Sequence, residues 1–279
     1  MAPPYPFVPS EVEGRVSTSL DTNGKGECMI EPWVYAALTA TAVLTGFVDA
    51  IAGGGGLIMM PALLFAGVPP LNALATNKLQ SMFGTAAACW NYGRKGLVDW
   101  RTYRLTLVFI FIGAAAGVAA VQLIKADSLR LVIPLLLMAV ALYVIVSPRM
   151  TDEDAHVRIG VGAYHPLGAA LGFYDGFFGP GVGSFYTTTL VALRGLGLTR
   201  ATALTKLFNL TSNLASVLVF ALSGKMFWLL GLTMAAGSIT GGWLGSHTAM
   251  KFGARVIRPL LVMLSLGLTA RLLWSYFVG

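Results

Sequence analysis

Four ionisable side chains lie inside long apolar runs of this 279-residue sequence. They form two pairs of like type, Asp49 with Asp175 and Lys78 with Lys206. Each buried charge in a membrane costs at least about 2.5–3.5 kcal/mol, so four of them require a reason. We expect the lysines to neutralise a small anionic substrate and the aspartates to bind a coupled proton or sodium ion, or to act as a gate. The structural alternative pairs each aspartate with the lysine of its own half of the chain.

A glycine cluster follows each aspartate within the apolar sequence. The clusters are Gly53, Gly54, Gly55 and Gly56 after Asp49, and Gly179, Gly181 and Gly183 after Asp175. Glycine lets backbone N–H groups approach a ligand, and the start of a short helix offers unpaired N–H groups and the positive end of its dipole. Both clusters are therefore candidate anion cradles in the substrate site. The alternative is that glycine only permits close helix packing.

Polar side chains spaced by four residues accompany each lysine. They are Asn77, Ser81 and Thr85 beside Lys78, and Thr205, Asn209 and Asn213 beside Lys206. This spacing places each set on one helix face, which in a bilayer must face protein or a water-filled path. We favour a substrate-binding path over hydrogen bonding between helices alone, because the lysines are adjacent.

The elements that carry these residues are apolar enough for a lipid bilayer. Hydrophobic residues make up 56% of the chain and charged residues 11%, against about 25% charged residues in an average soluble protein. Ten apolar segments are predicted, at about 32–51, 57–66, 71–92, 105–124, 129–146, 162–178, 184–193, 201–222, 227–250 and 256–277. The second and seventh are shorter than the ~20 residues of a full crossing, which predicts broken or re-entrant hairpins.

The second five segments repeat the first five. Gly46-Phe-Val-Asp49 corresponds to Gly172-Phe-Tyr-Asp175, Lys78 lies 128 residues before Lys206, and Gly113 lies 124 residues before Gly237. A nearly constant offset indicates a duplication.

Basic residues predict the orientation of the two halves. The loop after the third segment contains Arg94, Lys95, Arg101 and Arg104, so we take it as cytoplasmic. If membrane crossings are counted from this loop, the two halves have opposite orientations in the membrane. The sequence thus predicts an all-α integral membrane protein with two inverted repeats of about five helical segments each. The first repeat is residues 31–155 and the second is 156–279, after a disordered extension at 1–30.

Several function classes lack support in the sequence. The net charge of +7 is scattered between the apolar segments, which argues against a nucleic-acid partner. The sequence contains no nucleotide-binding loop, zinc-ligand spacing or hydrolase elbow. We therefore predict that the protein is not an enzyme and has no cofactor and no metal site, with the lipid bilayer and a small anion as its partners.

Two stretches resemble a known family. Gly46-Phe-Val-Asp-Ala-Ile-Ala-Gly-Gly-Gly-Gly-Leu57, followed by Pro61 and Ala73-Leu-Ala-Thr-Asn-Lys78, resembles the opening motif of the sulfite exporter TauE/SafE family. Gly172-Phe-Tyr-Asp-Gly-Phe-Phe-Gly-Pro-Gly-Val-Gly183 and Ala201-Thr-Ala-Leu-Thr-Lys206 resemble its second motif. The likeness covers about residues 31–277. It implies a multi-pass permease of the bacterial inner membrane for sulfite, organosulfonates or small organic anions. It also implies that the motif glycines, Asn77, Lys78 and Lys206 belong to the site.

The leading hypothesis is a secondary transporter with an alternating-access site between the two repeats. Three alternatives remain open. One is a cation-coupled carrier of another small anion such as a carboxylate, and another is a passive anion channel. The third is a structural or assembly protein of the membrane, or a membrane enzyme.

Overall fold

The computed structural model describes residues 16–20, 26–124, 128–129, 132–133, 135–140 and 151–253. Residues 128–129, 132–133 and 135–140 are helical and fall within or beside the predicted fifth segment. The rest of that segment, and the predicted tenth segment at 256–277, lie outside the described residues.

The described part of the chain is a bundle of helices. Their bounds are α1 Pro32–Ala52, α2 Gly55–Phe65, α3 Pro70–Arg94, α4 Trp100–Gln122, α5 Val161–Phe177, α6 Val182–Arg194, α7 Leu198–Ser223 and α8 Trp228–Phe252. Apart from an earlier start of α4, each bound falls within a few residues of its predicted segment. The short helices α2 and α6 follow α1 and α5, so the order of long and short helices repeats in the two halves, as the sequence predicts.

A small hairpin precedes the helices. Strands β1 Val16–Leu20 and β2 Gly26–Ile30 pair antiparallel, with Val16 opposite Ile30. The sequence predicts disorder throughout residues 1–30, and these two strands correct that prediction for the residues they contain. The physical reason is that β-branched residues such as Val16, Thr18 and Ile30 favour extended backbone even in a polar segment. The other residues of the extension lie outside the described residues.

Within the described ranges, three helices are long and apolar enough to cross a membrane, by length and composition: α1, α4 and α7. On α4 the side chains of Leu105, Val108, Phe109 and Ile112 are exposed, and their spacing forms one continuous stripe. A soluble protein rarely exposes apolar surface of that kind, whereas lipid accepts it. The helices and their exposed apolar faces therefore indicate a membrane protein.

Glycines hold the two halves together at two long helix contacts. An added Cβ at Gly241 or Gly245 of α8 would collide with the carbonyl oxygen of Val43 or Phe47 of α1. Likewise, one at Gly117 of α4 would collide with the carbonyl oxygen of Phe173 of α5. At these positions glycine permits close backbone approach. Along each contact the residue numbers of the two helices increase in the same direction. Helix α1 therefore runs parallel to α8, and α4 runs parallel to α5.

The polar helices α3 and α7 lie between these pairs and cross each other in opposite directions. Near the start of α3, Asn72 Nδ2 donates to the backbone oxygen of Lys225, just beyond the end of α7, over 2.9 Å. Further along, Asn213 Nδ2 of α7 approaches Thr85 Oγ1 of α3 at 3.5 Å. This crossing brings Lys78 of α3 and Lys206 of α7 into the middle of the bundle, where both are buried.

Candidate functional site

The two glycine-rich turns meet each other at the centre of the bundle. Helix α1 ends at Ala52 and is capped by Gly53, which has the left-handed φ of 76°, and α2 starts at Gly55. An added Cβ at Gly53 would lie 2.6 Å from the Cα of Gly183 in the turn that begins α6. Ser184 Oγ also donates to the backbone oxygen of Ala52 over 3.2 Å. The turns can cross this closely because neither carries a side chain at the contact.

Each lysine is paired with the aspartate of the other half. Lys78 Nζ donates to Asp175 Oδ1, and both side chains are almost completely buried. Lys206 Nζ donates to Asp49 Oδ2 over 3.2 Å and also to the backbone oxygen of Asp49. The structural alternative in the sequence analysis, with each pair inside its own half, is therefore wrong. The physical reason is the crossing of the two turns, which carries each aspartate over to the lysine helix of the opposite half.

The two ion pairs have unequal surroundings. Asp175 is 2% exposed and accepts a further hydrogen bond from Ser212 Oγ. Asp49 is 22% exposed, and its Oδ1 has a long contact of 3.4 Å from the backbone N–H of Gly55. Asp49 is thus the more accessible carboxylate, and Asp175 is the more fully hydrogen-bonded one.

A central cavity lies where the two turns meet α3 and α7. Its empty volume is about 350 Å³, including the part that opens to solvent. Both halves line it, with Asp49, Gly53, Gly56, Asn77, Lys78, Ser81 and Thr85 from the first, and Asp175, Gly179, Gly181, Val182, Asn209 and Asn213 from the second. Among the described residues, Lys78 is the one lysine in this lining.

The polar lining of the central cavity is largely made of groups that can donate hydrogen bonds. Asn77 Oδ1 accepts from Gln80 Nε2 over 2.9 Å, so the amide nitrogen of Asn77 is turned the other way. Gly56 belongs to the first turn of α2, and Val182 is the first residue of α6. Both short helices therefore direct their N-termini, the positive ends of their dipoles, at the cavity. This arrangement suits a small anion.

A second cavity adjoins the first. Its empty volume is about 220 Å³, including the part that opens to solvent, and its lining is Thr45, Gly46, Asp49, Gly55, Gln80, Ser81, Gly84, Thr85 and Ser238. Asp49, Ser81 and Thr85 line both cavities. The two spaces therefore share one wall, which includes the carboxylate of Asp49.

The comparison with protein families agrees with the motifs. The family model described as sulfite exporter TauE/SafE matches residues 38–272. The chain belongs to the sulfite exporter TauE/SafE family. The resemblance drawn from the two glycine motifs is thereby confirmed over most of the chain.

Named relatives of this TauE/SafE member are described as transporters. It is 41% identical over 248 residues to the probable membrane transporter protein YfcA of Escherichia coli strain K12, covering 88% of this chain and 92% of that protein. It is 42% identical over 243 residues to a probable membrane transporter protein of Haemophilus influenzae, covering 87% and 95%. No solved structure matches. The family and these names describe membrane transport rather than enzyme chemistry.

Most of the residues predicted for the site in this TauE/SafE chain surround the central cavity, and five do not. Lys206 is fully buried against Asp49 and is absent from the lining. Thr205 is also fully buried, and its Oγ1 lies 3.1 Å from Thr187 Oγ1. Gly54 and Gly183 are outside both linings, and Gly55 lines the second cavity. Substrate contact by these five residues stays a prediction.

Sequence reasoning missed four polar residues near the TauE/SafE site: Thr45, Gln80, Ser212 and Ser238. Gln80 carried a usable signal, because an amide two residues after Lys78 in an apolar helix needs a partner. Ser212 precedes the noted Asn213 and could have been included for the same reason. Ser238 resembled any small residue of a glycine-rich helix, and only the packing of α8 on α3 brings it to the second cavity.

Ser212→Ala should destabilise the folded protein by about 1.5–3 kcal/mol, because it removes a hydrogen bond to the buried charged carboxylate of Asp175. Thermal melting of purified protein in detergent would measure the loss. Ser216→Ala is the matched control, since Ser216 Oγ donates only to the backbone oxygen of Ser212 among the described contacts, one turn away. Equal melting temperatures for the two variants would contradict the role of Ser212.

Proposed function

We propose that this protein is a secondary transporter of a small anion such as sulfite or an organosulfonate, and that it works in a bacterial inner membrane. The substrate site is the central cavity. One observation carries the proposal: both halves line this cavity with hydrogen-bond donors, two helix N-termini and the buried Lys78. A ligand bound between two halves can be released to either side when one half moves against the other.

The helix directions support two repeats of inverted topology. Corresponding helices α3 and α7 cross antiparallel at the Asn72 and Asn213 contacts. Helix α1 is parallel to α8, and α4 is parallel to α5, so each contact joins the first helix of one repeat to the fourth of the other. Such contacts are those expected of two repeats related by a two-fold axis within the membrane plane. In this arrangement the substrate site lies near the middle of the membrane, where discontinuous helices meet.

The balance of formal charges at the site favours transport of an anion together with a cation. The two lysines and two aspartates at the centre sum to zero formal charge. An anion that enters the central cavity adds uncompensated negative charge beside two carboxylates, Asp49 and Asp175. A proton or metal cation bound nearby offsets that cost, which favours a coupled carrier over a passive channel.

The first test is thermal melting of the detergent-purified protein against sulfite, small sulfonates, sulfate and carboxylates at fixed ionic strength. A ligand that binds the folded state raises the melting temperature by mass action. We expect sulfite or a sulfonate to give the largest shift. A preference for carboxylates would favour the alternative carrier, and an absence of shift with every anion would contradict the proposal.

Asn77→Ala should weaken binding of the stabilising anion about 10- to 150-fold, the equivalent of one hydrogen bond to a charged ligand. Asn91→Ala is the matched control, because Asn91 is equally buried on α3 but its amide contacts Ser246 and His247 rather than the cavity. Affinity would be taken from the anion concentration that gives half of the melting shift. If both variants bind the anion like the unmodified protein, Asn77 makes no contact with it.

A further inference from the structure

The side chains that line the second cavity carry acceptor oxygen atoms, and few hydrogen-bond donors are directed at these atoms. Around its carboxylate are hydroxyl and amide side chains, and these are Thr45, Gln80, Ser81, Thr85 and Ser238 beside Asp49. Lys206 Nζ donates to Oδ2 of Asp49, whereas within the described residues Oδ1 receives only the 3.4 Å contact from the backbone N–H of Gly55. One carboxylate oxygen is therefore weakly bonded at the edge of a polar space.

Gln80 provides an independent sign that something binds there. The residue is 2% exposed, and its Nε2 donates to Asn77 Oδ1 and to Ser81 Oγ, each over 2.9 Å. These two bonds use both amide hydrogens and turn Oε1 away from Asn77 and Ser81. Within the described part of the chain, Oε1 is buried and accepts no hydrogen bond. Leaving a buried acceptor unpaired costs about 1–3 kcal/mol, so a ligand that supplies a hydrogen bond or a positive charge to Oε1 is favoured.

Three polar side chains of this lining are found beside Asp49 and not at the matching positions beside Asp175, although Ser81 and Thr85 are matched by the polar Asn209 and Asn213. By the repeat correspondence, the positions of Thr45, Gln80 and Ser238 are matched by Leu171, Phe208 and Ala114, all of them apolar. The position of Gly84, where an added Cβ would collide with Ser238 Oγ, is matched by Ser212, which donates to Asp175. Asp175 therefore has a hydroxyl donor, Ser212, and its three other matched positions are apolar. Asp49 has polar side chains at those three positions. General packing of two repeats would treat both aspartates alike.

We propose that the second cavity is a binding site for a monovalent metal cation, held by Asp49 Oδ1, Gln80 Oε1 and the hydroxyl groups of Ser81 and Ser238. One carboxylate with neutral oxygens suits a single positive charge. Clusters of three or more His, Cys, Asp or Glu that could hold a divalent or transition metal do not occur among the described residues. A break separates α1 from α2. The helix ends at such a break are where discontinuous membrane helices coordinate monovalent cations.

The shared wall links this cation site to the central cavity. Asp49, Ser81 and Thr85 line both spaces, so a bound cation lies close to an anion in the central cavity and attracts it. Each ligand should then raise the affinity of the other by the same factor. This linkage rests on the proposed function, whereas the cation site rests on the second cavity alone.

The test uses the full chain purified in detergent and melted in gluconate salts of lithium, sodium, potassium or N-methylglucamine, at equal ionic strength and pH. We expect at least one alkali cation to raise the melting temperature by about 2 °C or more over N-methylglucamine, with saturation. Equal melting temperatures in all four salts would overturn the site.

Ser238→Ala should abolish or strongly reduce the cation-dependent shift, and it is a mild change because the repeat has alanine at that position. Gln80→Leu should do the same. Thr240→Ala, two residues along α8 with an exposed hydroxyl that donates to the backbone oxygen of Ala236, should retain the shift. A full shift in both Ser238→Ala and Gln80→Leu would overturn the assignment. A cation shift without any anion shift would leave the site standing and contradict the proposed function instead.

Discussion

Lys78→Met is expected to abolish anion binding and transport. Lys78 is the lysine in the described lining of the central cavity, and methionine keeps its aliphatic stem while removing the positive charge. The same change leaves Asp175 as a buried carboxylate with Ser212 as its remaining donor, which should cost about 3–5 kcal/mol of stability. Loss of transport by this variant alone therefore has two explanations, a missing ligand and a damaged fold.

The double variant Lys78→Met/Asp175→Asn separates those explanations. Neutralising both partners removes the unpaired charge, so the melting temperature should recover most of the loss. Anion binding should not recover, because the cavity still lacks its ammonium group. The measurements are the melting temperature and its anion-dependent shift, followed by uptake into proteoliposomes. A double variant that binds and transports the anion normally would show that Lys78 serves the fold alone.

Gly53→Ala is expected to prevent normal folding or to lower the melting temperature severely. Gly53 has a left-handed backbone, which costs alanine roughly 1–2 kcal/mol. Its new Cβ would also lie 2.6 Å from the Cα of Gly183, and backbone cannot rotate away as a side chain can. Overpacking of this kind typically adds about 1–3 kcal/mol. The crossing of the two turns, on which both ion pairs depend, would have to open.

Gly96→Ala is the matched control for the backbone part of that effect. Gly96 has a similar φ of 70°, but an added Cβ there meets nothing within 4 Å. The difference between the two variants therefore isolates crowding at the turn crossing. We expect Gly53→Ala to melt roughly 2–12 °C below Gly96→Ala, from the crowding cost and the usual shift per kcal/mol for a chain of this size. Equal melting temperatures would mean that the turns do not touch as closely as described.

The helices and the family were predictable because both depend on local patterns. An apolar run of sufficient length predicts a membrane helix wherever it packs, and α1, α3 and α7 begin and end within a few residues of their predicted bounds. The short helices were predictable from the glycine and proline residues around them. The predicted duplication was visible because the spacing from each aspartate to the following lysine is nearly the same in both halves, from Asp49 to Lys78 and from Asp175 to Lys206.

The partners of the charged residues were not predictable in this way. A polar stripe shows which face of a helix needs partners, but it does not show which other helix supplies them. Lys78 and Asp175 are 97 positions apart, and they meet only because α3 packs beneath the crossing of the two turns. The same crossing draws Lys206 onto Asp49 and out of the central cavity, although the two lysines are equivalent in the repeat.

The sequence by itself determined that the chain has apolar membrane helices and four charges that need compensation, and it predicted two related halves and two broken hairpins. Those properties follow from residue type and spacing along one helix at a time. The tertiary structure decided which charges compensate each other, which lysine faces the cavity, and that Thr45, Gln80 and Ser238 surround only one of the two aspartates. The reason is that the two repeats dock on each other through unequal side chains, so residues equivalent in sequence acquire different neighbours.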